Sequence, residues 1–595
     1  MDLLTRTSSL TPVKWGLFLV LAARICSGQP AWQKTYCNPV DINYQYNFEQ
    51  KANGISFRSG ADPVIVNHNG EYYLFATISL GWWHSKDLLH WQYVKPDVRP
   101  HEWPKEDMCA PAALSVRGVL YLFQSTFERR PIYSTTTPAS GHLALFNPLL
   151  PLMPGADGPW DPAIFHDDDT DRWFMYFGSS NVYPISGIEL DFSRQLNYVG
   201  KSKGLISLRP EAHGWERFGQ DHRDSIKPFI EGAWMTKHRG KYYLQYGAPG
   251  TEYNVYANGT YVGDDPLGPF TYAPNNPISY RPGGFMTGAG HGNTFQDNYG
   301  NYWNTGTPWL AVNFNFERRI AMFPAGFDND GLLYSNTRFG DFPHYLPSRK
   351  WSGKDDLFAG WMLLSYHKPC DASSASEAFP AANVTDENPR TFWLAGSNKP
   401  GEWLTVDLTQ ACKVTAVQVN YTDYNANLYA SGARVYTQFK LYGSLDGRQW
   451  FVIADLSHEK RDRPNAYIEL PNPALARYVK YEHGYVGSTT LAISDIRIFG
   501  TGEVGLPQAP GSLTVRRDSD ERNAFVSWQK VPGAVGYNVL WGILPNKLYQ
   551  TYQVFADQPS TLEIRALTLG QGYSFAVEAF NEAGVSAPSE PVSVR

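Results

Sequence analysis

Between residues 36 and 347 one short layout returns five times, and it limits the possible folds more than any other feature of the chain. Each copy has a motif rich in Pro, Ala or Gly that leads into an apolar strand, a Gly or charged turn, and a strand dense in aromatics. Three copies are Ala61-Asp-Pro-Val-Ile-Val66 with Glu71-Tyr-Tyr-Leu-Phe75, Ala110-Pro-Ala-Ala-Leu114 with Val119-Leu-Tyr-Leu-Phe123, and Trp160-Asp-Pro-Ala-Ile-Phe165 with Trp173-Phe-Met-Tyr-Phe177. Two more are Glu231-Gly-Ala-Trp-Met235 with Tyr242-Tyr-Leu-Gln-Tyr246, and Gly290-His-Gly-Asn-Thr-Phe295 with Asn301-Tyr-Trp303. The leading positions 62, 110, 161, 231 and 291 lie 48, 51, 70 and 60 residues apart. A repeat of this period, built from short strands, is the sign of a β-propeller, and five copies predict five blades.

The inner strands of a propeller line one channel, so Asp62, Ala110, Asp161, Glu231 and His291 are expected to face a common axis. Three carboxylates and an imidazole in one cavity cost desolvation and mutual repulsion unless a substrate or cation uses them. Glu231 stands among Ile230, Gly232, Ala233 and Trp234. Apolar surroundings push a carboxyl pKa upward, which suits a general acid working near neutral pH. An isolated acid of this kind is more often a structural charge at a strand end; recurrence at the heads of sister repeats favours chemistry.

After Pro347 the pattern changes. Residues 365–500 hold short alternating strands, among them Trp403-Leu-Thr-Val-Asp-Leu408, Val414-Thr-Ala-Val-Gln-Val419 and Ile493-Ser-Asp-Ile-Arg-Ile-Phe499, which predict a β-sandwich. A linker, Gly505-Leu-Pro-Gln-Ala-Pro-Gly511, precedes a smaller sandwich over 508–595 with Trp528, Tyr537 and Tyr573 in its strands. Helical periodicity is scarce. The expected fold class is therefore all-β: a five-bladed β-propeller over 36–347 followed by two β-sandwich domains.

Residues 1–28 read as a signal peptide. Arg6 and Lys14 flank an apolar segment, Trp15 to Ala23, too short to span a bilayer, and Cys26-Ser-Gly28 offers small residues for cleavage. Arg24 and Ile25 are poor residues before a lipidated cysteine, which argues against a surface lipoprotein. No other segment predicts a membrane span, so the expectation is a secreted or periplasmic protein. In such a compartment the remaining cysteines could form two disulfides, and Cys37–Cys109 with Cys370–Cys412 keeps each bridge within one domain. A formal net charge of −6 without long basic runs argues against nucleic acid as a partner. Aromatics at 15% fit β structure and a surface that stacks on flat ligands.

The first 350 or so residues resemble a family 43 glycoside hydrolase. The resemblance rests on Ala61-Asp62-Pro63, on Trp160-Asp161-Pro162 with His166-Asp-Asp-Asp169, on Ile230-Glu231-Gly232, on Gly290-His291-Gly292 and on Ser85-Lys-Asp-Leu-Leu-His-Trp91, in that family's order and spacing. It implies Asp62 as general base, Glu231 as general acid, and Asp161 as the residue that tunes and orients the acid. His291 would lie at the channel centre, near a water-coordinated cation in some members; no cofactor is required, and a Ca2+ in the channel is the candidate metal. Arg318-Arg319 resembles a channel arginine of some relatives, with Arg319 slightly favoured, and Trp82-Trp83 could stack on a sugar face or pack between blades. His84, His90 and His166 read as turn residues, and Asp167-Asp-Asp-Thr-Asp171 as an acidic hairpin rather than a calcium loop.

Residues 365–500 resemble a discoidin (coagulation factor 5/8 type C) domain through Pro380-Ala-Ala-Asn383, Asp386 to Trp393, Gly443-Ser-Leu-Asp-Gly-Arg-Gln-Trp450 and Ser494-Asp-Ile-Arg497. Such domains often bind sugars. The tail resembles a fibronectin type III domain, for which a spacer is the default reading. Together these imply an exported, inverting glycoside hydrolase acting on polysaccharide or oligosaccharide. The expected activity is of α-L-arabinofuranosidase or β-xylosidase type, with β-galactan or galactofuranoside as further substrates. Specificity is expected from loops Thr251 to Asp265 and Asn181 to Gly187. The alternative is a catalytically inactive carbohydrate-binding or adhesive protein, which the presence of all three carboxylates counts against.

Overall fold

The computed structural model describes residues 34–595 apart from 48–55, 78, 98–107, 124, 126–130, 149, 155–158, 194, 352–356 and 427–434. The predicted signal segment lies outside the described residues. Five antiparallel sheets follow in chain order. Blade 1 is Ala61–His68, Glu71–Thr77, Trp82–Ser85 and Gln92–Val94; blade 2 is Ala112–Val116, Val119–Phe123, Ile132–Thr135 and Ala144–Asn147. Blade 3 is Ala163–Asp167, Arg172–Phe177, Ile185–Asp191 and Asn197–Ile206, and blade 4 is Glu231–His238, Lys241–Ala248, Ala257–Gly263 and Phe270–Tyr272. In blade 5, Thr287–Gly290 and Thr294–Gln296 both pair with Tyr302–Trp309, followed by Ala321–Phe327 and Leu333–Ser335. The first strands of successive blades lie against one another around the ring, so the chain forms a five-bladed propeller. Thr251 to Asp265, expected as a loop, holds a loop over 251–256 and then the third strand of blade 4, because Ala257–Gly263 carries cross-strand pairs to Tyr242–Ala248. Asn181 to Gly187 likewise enters the third strand of blade 3 at Ile185.

Every blade head bends in the same way. Asp62, Ala110, Asp161 and His291 have φ of +51°, +35°, +44° and +43°, and in blade 4 Gly232 takes +63°. Strand pairing slips beside three of these heads, between Ala61 and Val64, Glu231 and Trp234, and Thr287 and Gly290. A bulge of this kind re-aims one side chain out of the strand's alternation, here toward the axis.

Because each blade is contiguous in sequence, side chains close the ring between blades 5 and 1. Ile65 N donates to Asn293 Oδ1 at 3.0 Å, and Asn293 Nδ2 donates to Ile65 O at 2.9 Å. Thr305 Oγ1 donates to Pro63 O at 3.0 Å, and Asp62 N donates to Thr307 Oγ1 at 2.9 Å. A short pairing of Thr35–Tyr36 with His344–Tyr345 fastens the two ends of the propeller segment together.

The second domain is built on an eight-stranded sheet that includes Trp403–Tyr421, Asn465–Val486 and Ala492–Gly502; the third has three- and five-stranded sheets. The tail is not a spacer. Its core residues Trp528, Trp541 and Phe575 belong to the same buried apolar cluster as Trp215 and Tyr246 of the propeller. Lys547 reaches Asp328 at 2.7 Å and Arg338 reaches Glu578 at 2.6 Å across that boundary. On the other side, Arg58 is buried between Asp423 at 2.8 Å and Asp462 at 2.9 Å, and Arg463 pairs with Asp41.

The two expected disulfides are not formed: Cys37, Cys370 and Cys412 are thiols. The Cys37 thiol donates to Asp341 O at 3.2 Å. Cys370 stands opposite Val406, six residues before Cys412 on the same strand, a separation of roughly 15–20 Å at strand rise. Bridged cysteines need Cα atoms within about 7 Å. Among the described residues the helical segments are short 3-10 turns, and no helix is long and apolar enough to cross a membrane.

Removing one partner of a buried pair strands the others. Arg58→Ala leaves Asp423 and Asp462 buried without their cation and is expected to cost about 3–5 kcal/mol. The expected result is a lower urea midpoint. An unchanged midpoint would show that this pair does not hold the second domain to the propeller.

Candidate active site

The heads of blades 1, 3, 4 and 5 meet at the channel floor. Asp62 Oδ1 lies 3.3 Å from His291 Nδ1 and 3.5 Å from Arg318 Nη1, while its Oδ2 accepts from Thr77 Oγ1 at 2.6 Å. Thr77 is itself held by Ala110 N at 2.7 Å, so the strained head of blade 2 supports the carboxylate of blade 1. Asp161 Oδ1 accepts from Ser125 Oγ at 3.0 Å. Glu231 accepts from Tyr256 OH and, at 3.3 Å, from Ser179 Oγ. Thr307 Oγ1 donates to His291 O at 3.2 Å.

Two glycines permit this approach. A Cβ on Gly232 would sit 2.9 Å from the His291 ring, and one on Gly290 would sit 2.7 Å from the Tyr256 ring. The sequences Glu231-Gly232 and Gly290-His291 thus put a functional side chain beside the glycine that makes room for its neighbour.

The carboxyls are pushed in opposite directions. Burial raises Asp62, but Arg318, His291 and the Thr77 hydroxyl outweigh it and hold the group below the usual carboxylate range. Burial raises Asp161 to about 7, with Asp62 adding like-charge repulsion against the Ser179 and Ser125 hydroxyls. Burial likewise raises Glu231 to about 7; His291 opposes this, Asp161 and Asp62 add to it, and the Tyr256 hydroxyl favours the ionised form. One floor thus carries a carboxylate that stays charged beside carboxyls that hold protons into neutral pH. Such a divided set can perform acid–base chemistry at one bond.

Other expectations need correction. Trp82 and Trp83 are both 0% exposed. Trp82 donates to Pro138 O and packs on Phe75, and Trp83 donates to Asn43 Oδ1, so neither ring has a face open to a sugar. The channel arginine is Arg318. Arg319 points the other way, donating to Asn465 Oδ1 at 3.0 Å in the second domain and lying over Tyr44. Adjacent residues in extended chain face opposite sides, and motif reading had only adjacency to go on. Tyr256, Thr77, Ser125, Ser179 and Thr307 were missed, since a lone hydroxyl in a strand or loop carries no sequence signal of its own. His166 lies in a buried position between Asp168 and Asp171, each at 2.8 Å, and Asp167–Asp171 is a hairpin turn as expected. His84 is in a strand, stacked on Tyr73.

Asp161, Glu231 and His291 bring one ligand atom each within 4.8 Å of one another. Calcium takes six to eight oxygens. Asp161, Glu231 and His291 offer two carboxyls and one ring nitrogen, so a calcium ion there would take most of its shell from water.

Comparison with known proteins agrees with this architecture. Residues 52–332 match the family model described as glycosyl hydrolases family 43, residues 369–488 an F5/8 type C domain, and residues 508–595 a fibronectin type III domain. The chain is 28% identical over 262 residues to a xylosidase/arabinosidase of Humicola insolens, which covers 38% of this chain and 74% of that protein. It is 27% identical over 135 residues to a β-D-galactofuranosidase of Aspergillus niger, covering 23% of this chain and 33% of that protein. A crystal structure of a xylan β-1,4-xylosidase from Bacillus halodurans covers 94% of this chain and 96% of its own, at 14% identity and a TM-score of 0.40.

The raised carboxyls make stability depend on pH. A carboxyl whose folded pKa is raised stabilises the fold fully below its unfolded value, near 4 to 4.5, and loses that contribution as pH rises through about 7. Glu231→Gln should therefore show a shallower fall in unfolding free energy between pH 4.5 and 7 than the parent chain. Tyr256→Phe removes a hydrogen bond to the ionised form, so the Glu231 carboxyl should titrate above its parent midpoint by 13C NMR. Parallel pH profiles in the first case, or a lower midpoint in the second, would contradict this account of the floor.

Proposed function

Because residues 52–332 form a family 43 glycosyl hydrolase domain, we propose that the chain hydrolyses O-glycosidic bonds in polysaccharides or their side chains, with inversion. Asp62 is the general base, Glu231 the general acid, and Asp161 the residue that tunes and orients the acid. The observation that carries this reading is the opposite displacement of two carboxyls in one buried floor. Arg318, His291 and Thr77 keep Asp62 ionised, ready to take a proton from water. Glu231, raised to about 7, retains the proton that the leaving oxygen needs.

The step follows from these groups. Asp62 removes a proton from a water that attacks the anomeric carbon. The carbon–oxygen bond to the leaving group breaks as Glu231 protonates that oxygen. Asp62 ends protonated and Glu231 ionised, and Tyr256 and Ser179 hold the new carboxylate. Exchange with solvent resets both. A cation near His291 would have to complete its shell with water, and no step passes through one.

A pentose glycoside is the substrate we favour, of β-xyloside or α-L-arabinofuranoside type, since a relative bears the name xylosidase/arabinosidase. Galactofuranoside is the second candidate, from the name of another. Action outside the cytoplasm is proposed on the basis of the Arg6, Lys14 and Cys26-Ser-Gly28 pattern. The rival, a binding protein without catalysis, is supported by the two sandwich domains alone and leaves the divided carboxyls without a use.

Asp62→Ala and Glu231→Ala should each lower kcat on chromogenic pentosides by about 10²–10⁴ with the fold intact by circular dichroism. The pH profile of kcat/KM in the parent chain should fall above about pH 7, where Glu231 loses its proton, and fall again only on the acid side of the usual carboxylate range, where Asp62 gains one. Proton NMR of the first-formed sugar should show the anomer opposite to the substrate's. Near-parental turnover in either variant, or release of the retained anomer, would overturn the assignment.

A further inference from the structure

The second domain sends one arginine onto the propeller's mouth. Arg390, in the turn between the 3-10 segment Ala381–Thr385 and Trp393–Leu394, lies over the Trp309 ring, 3.9 Å from its centroid. Trp309 is not a remote contact. Thr307, two residues earlier on the same strand and therefore on the same face, receives Asp62 N and donates to His291 O. Trp309 stands roughly 7 Å further along, opposite Thr287 and upstream of the His291 head, which places it on the mouth side of the floor. It bridges to Arg318, whose Nη1 lies 3.5 Å from both Asp62 Oδ1 and Thr251 Oγ1. Tyr253, two residues beyond Thr251, brings its ring to 6.3 Å from Trp309, and Phe218 closes on Tyr253 at 5.1 Å. These three rings are partly open to solvent and form an aromatic rim.

The Arg390 guanidinium is incompletely satisfied there. Its Nε and Nη2 are buried and donate to nothing. Burial lowers its pKa to about 10, and no carboxylate stands close enough to offset the loss. Stacking on tryptophan returns part of the cost of an unpaired buried cation. It leaves two planar N–H donors without acceptors and closed to solvent, so a carboxylate meets this fork once the side chain turns on its stem, and the fork's geometry then matches it.

We propose that Arg390 is a substrate-binding residue supplied by the second domain, and that it receives the carboxylate of a uronic-acid unit on the glycan entering the channel. This rests on the hydrolase reading and sharpens it: the substrate is an acidic, uronate-bearing chain. The aromatic rim carries the sugar faces while the guanidinium holds the charged substituent. The second domain is then part of the cleft and not a separate sugar-binding module.

Binding of D-glucuronate, D-galacturonate and D-xylose to the full chain, followed by calorimetry and saturation-transfer NMR, tests this without turnover. The parent chain should bind the uronates at least tenfold more tightly than xylose, with the difference shrinking in high salt. Arg390→Met keeps the stacked stem and should abolish the preference; Arg390→Lys keeps the charge without the fork and should retain only part of it. Equal binding of uronate and neutral sugar by the parent chain, or a preference that survives Arg390→Met, would overturn the proposal. The parent measurement decides even if a variant fails to fold. A chain that prefers uronate through Arg390 yet releases no sugar from any glycoside would overturn the hydrolase assignment and leave this site standing. Turnover of neutral glycosides without uronate preference would do the reverse.

Discussion

The closure of blade 5 onto blade 1 is the constraint on which the rest depends. A propeller whose blades are each contiguous in sequence has no strand to stitch its seam, so the seam rests on side chains. Asn293, Thr305 and Thr307 do this by bonding to the backbone of Asp62, Pro63 and Ile65. Those three residues belong to the head and first strand of blade 1. The seam and the Asp62 carboxylate are therefore one structure: whatever loosens the ring also frees the backbone that aims Asp62. A non-glycine residue in the left-handed region costs on the order of 1–3 kcal/mol, and here four blade heads carry that strain. It persists because the neighbouring blade dictates each head, as Thr77 does when it binds both Ala110 N and Asp62 Oδ2.

The same closeness creates the electrostatic division. Glycine at 232 and 290 lets His291, Tyr256 and Glu231 approach to contact distance, which no Cβ would allow. In that small space one cation cannot serve three carboxyls equally. Arg318 lies against Asp62, and the arrangement of hydroxyls around Asp161 and Glu231 stabilises their ions less than burial and repulsion destabilise them. The identical group, placed at equivalent positions of sister blades, thus acquires different protonation states from second contacts alone.

Much of this was legible in the sequence because propeller repeats write their heads in small, distinctive words. Asp62-Pro63, Asp161-Pro162, Glu231-Gly232 and His291-Gly292 mark both a bend and a functional side chain, so the five blades and the floor could be read together. What escaped was any choice that depends on orientation. Trp82 and Trp83 look like a sugar platform by residue type, yet strand alternation turns one toward Pro138 and the other toward Asn43. Arg318 and Arg319 differ by one position, and that position decides between the channel and the second domain. The cysteines were paired by domain membership, whereas strand register sets Cys370 and Cys412 far apart. The hydroxyls of Thr77, Ser179 and Tyr256 matter only through partners distant in sequence.

The two sandwich domains change how the propeller should be regarded. Arg58, Arg463 and Arg497 are buried in ion pairs at the boundary between the propeller segment and the second domain, Arg497 with Asp341. Buried pairs contribute little net stability but punish any misfit, so they favour one docking geometry over others. The third domain adds apolar cover, since Trp528 and Trp541 share a core with Trp215, whose indole contacts Tyr246 beneath blade 4. Glu216, buried and bonded to Tyr246, lies in the same layer, behind the strands that lead from Glu231. A hydrolase that needed its extra domains only for anchoring would join them by exposed linkers. Here their placement is fixed by desolvated charge on one side and by a continuous core on the other, and that rigidity is what a cleft shared between domains requires.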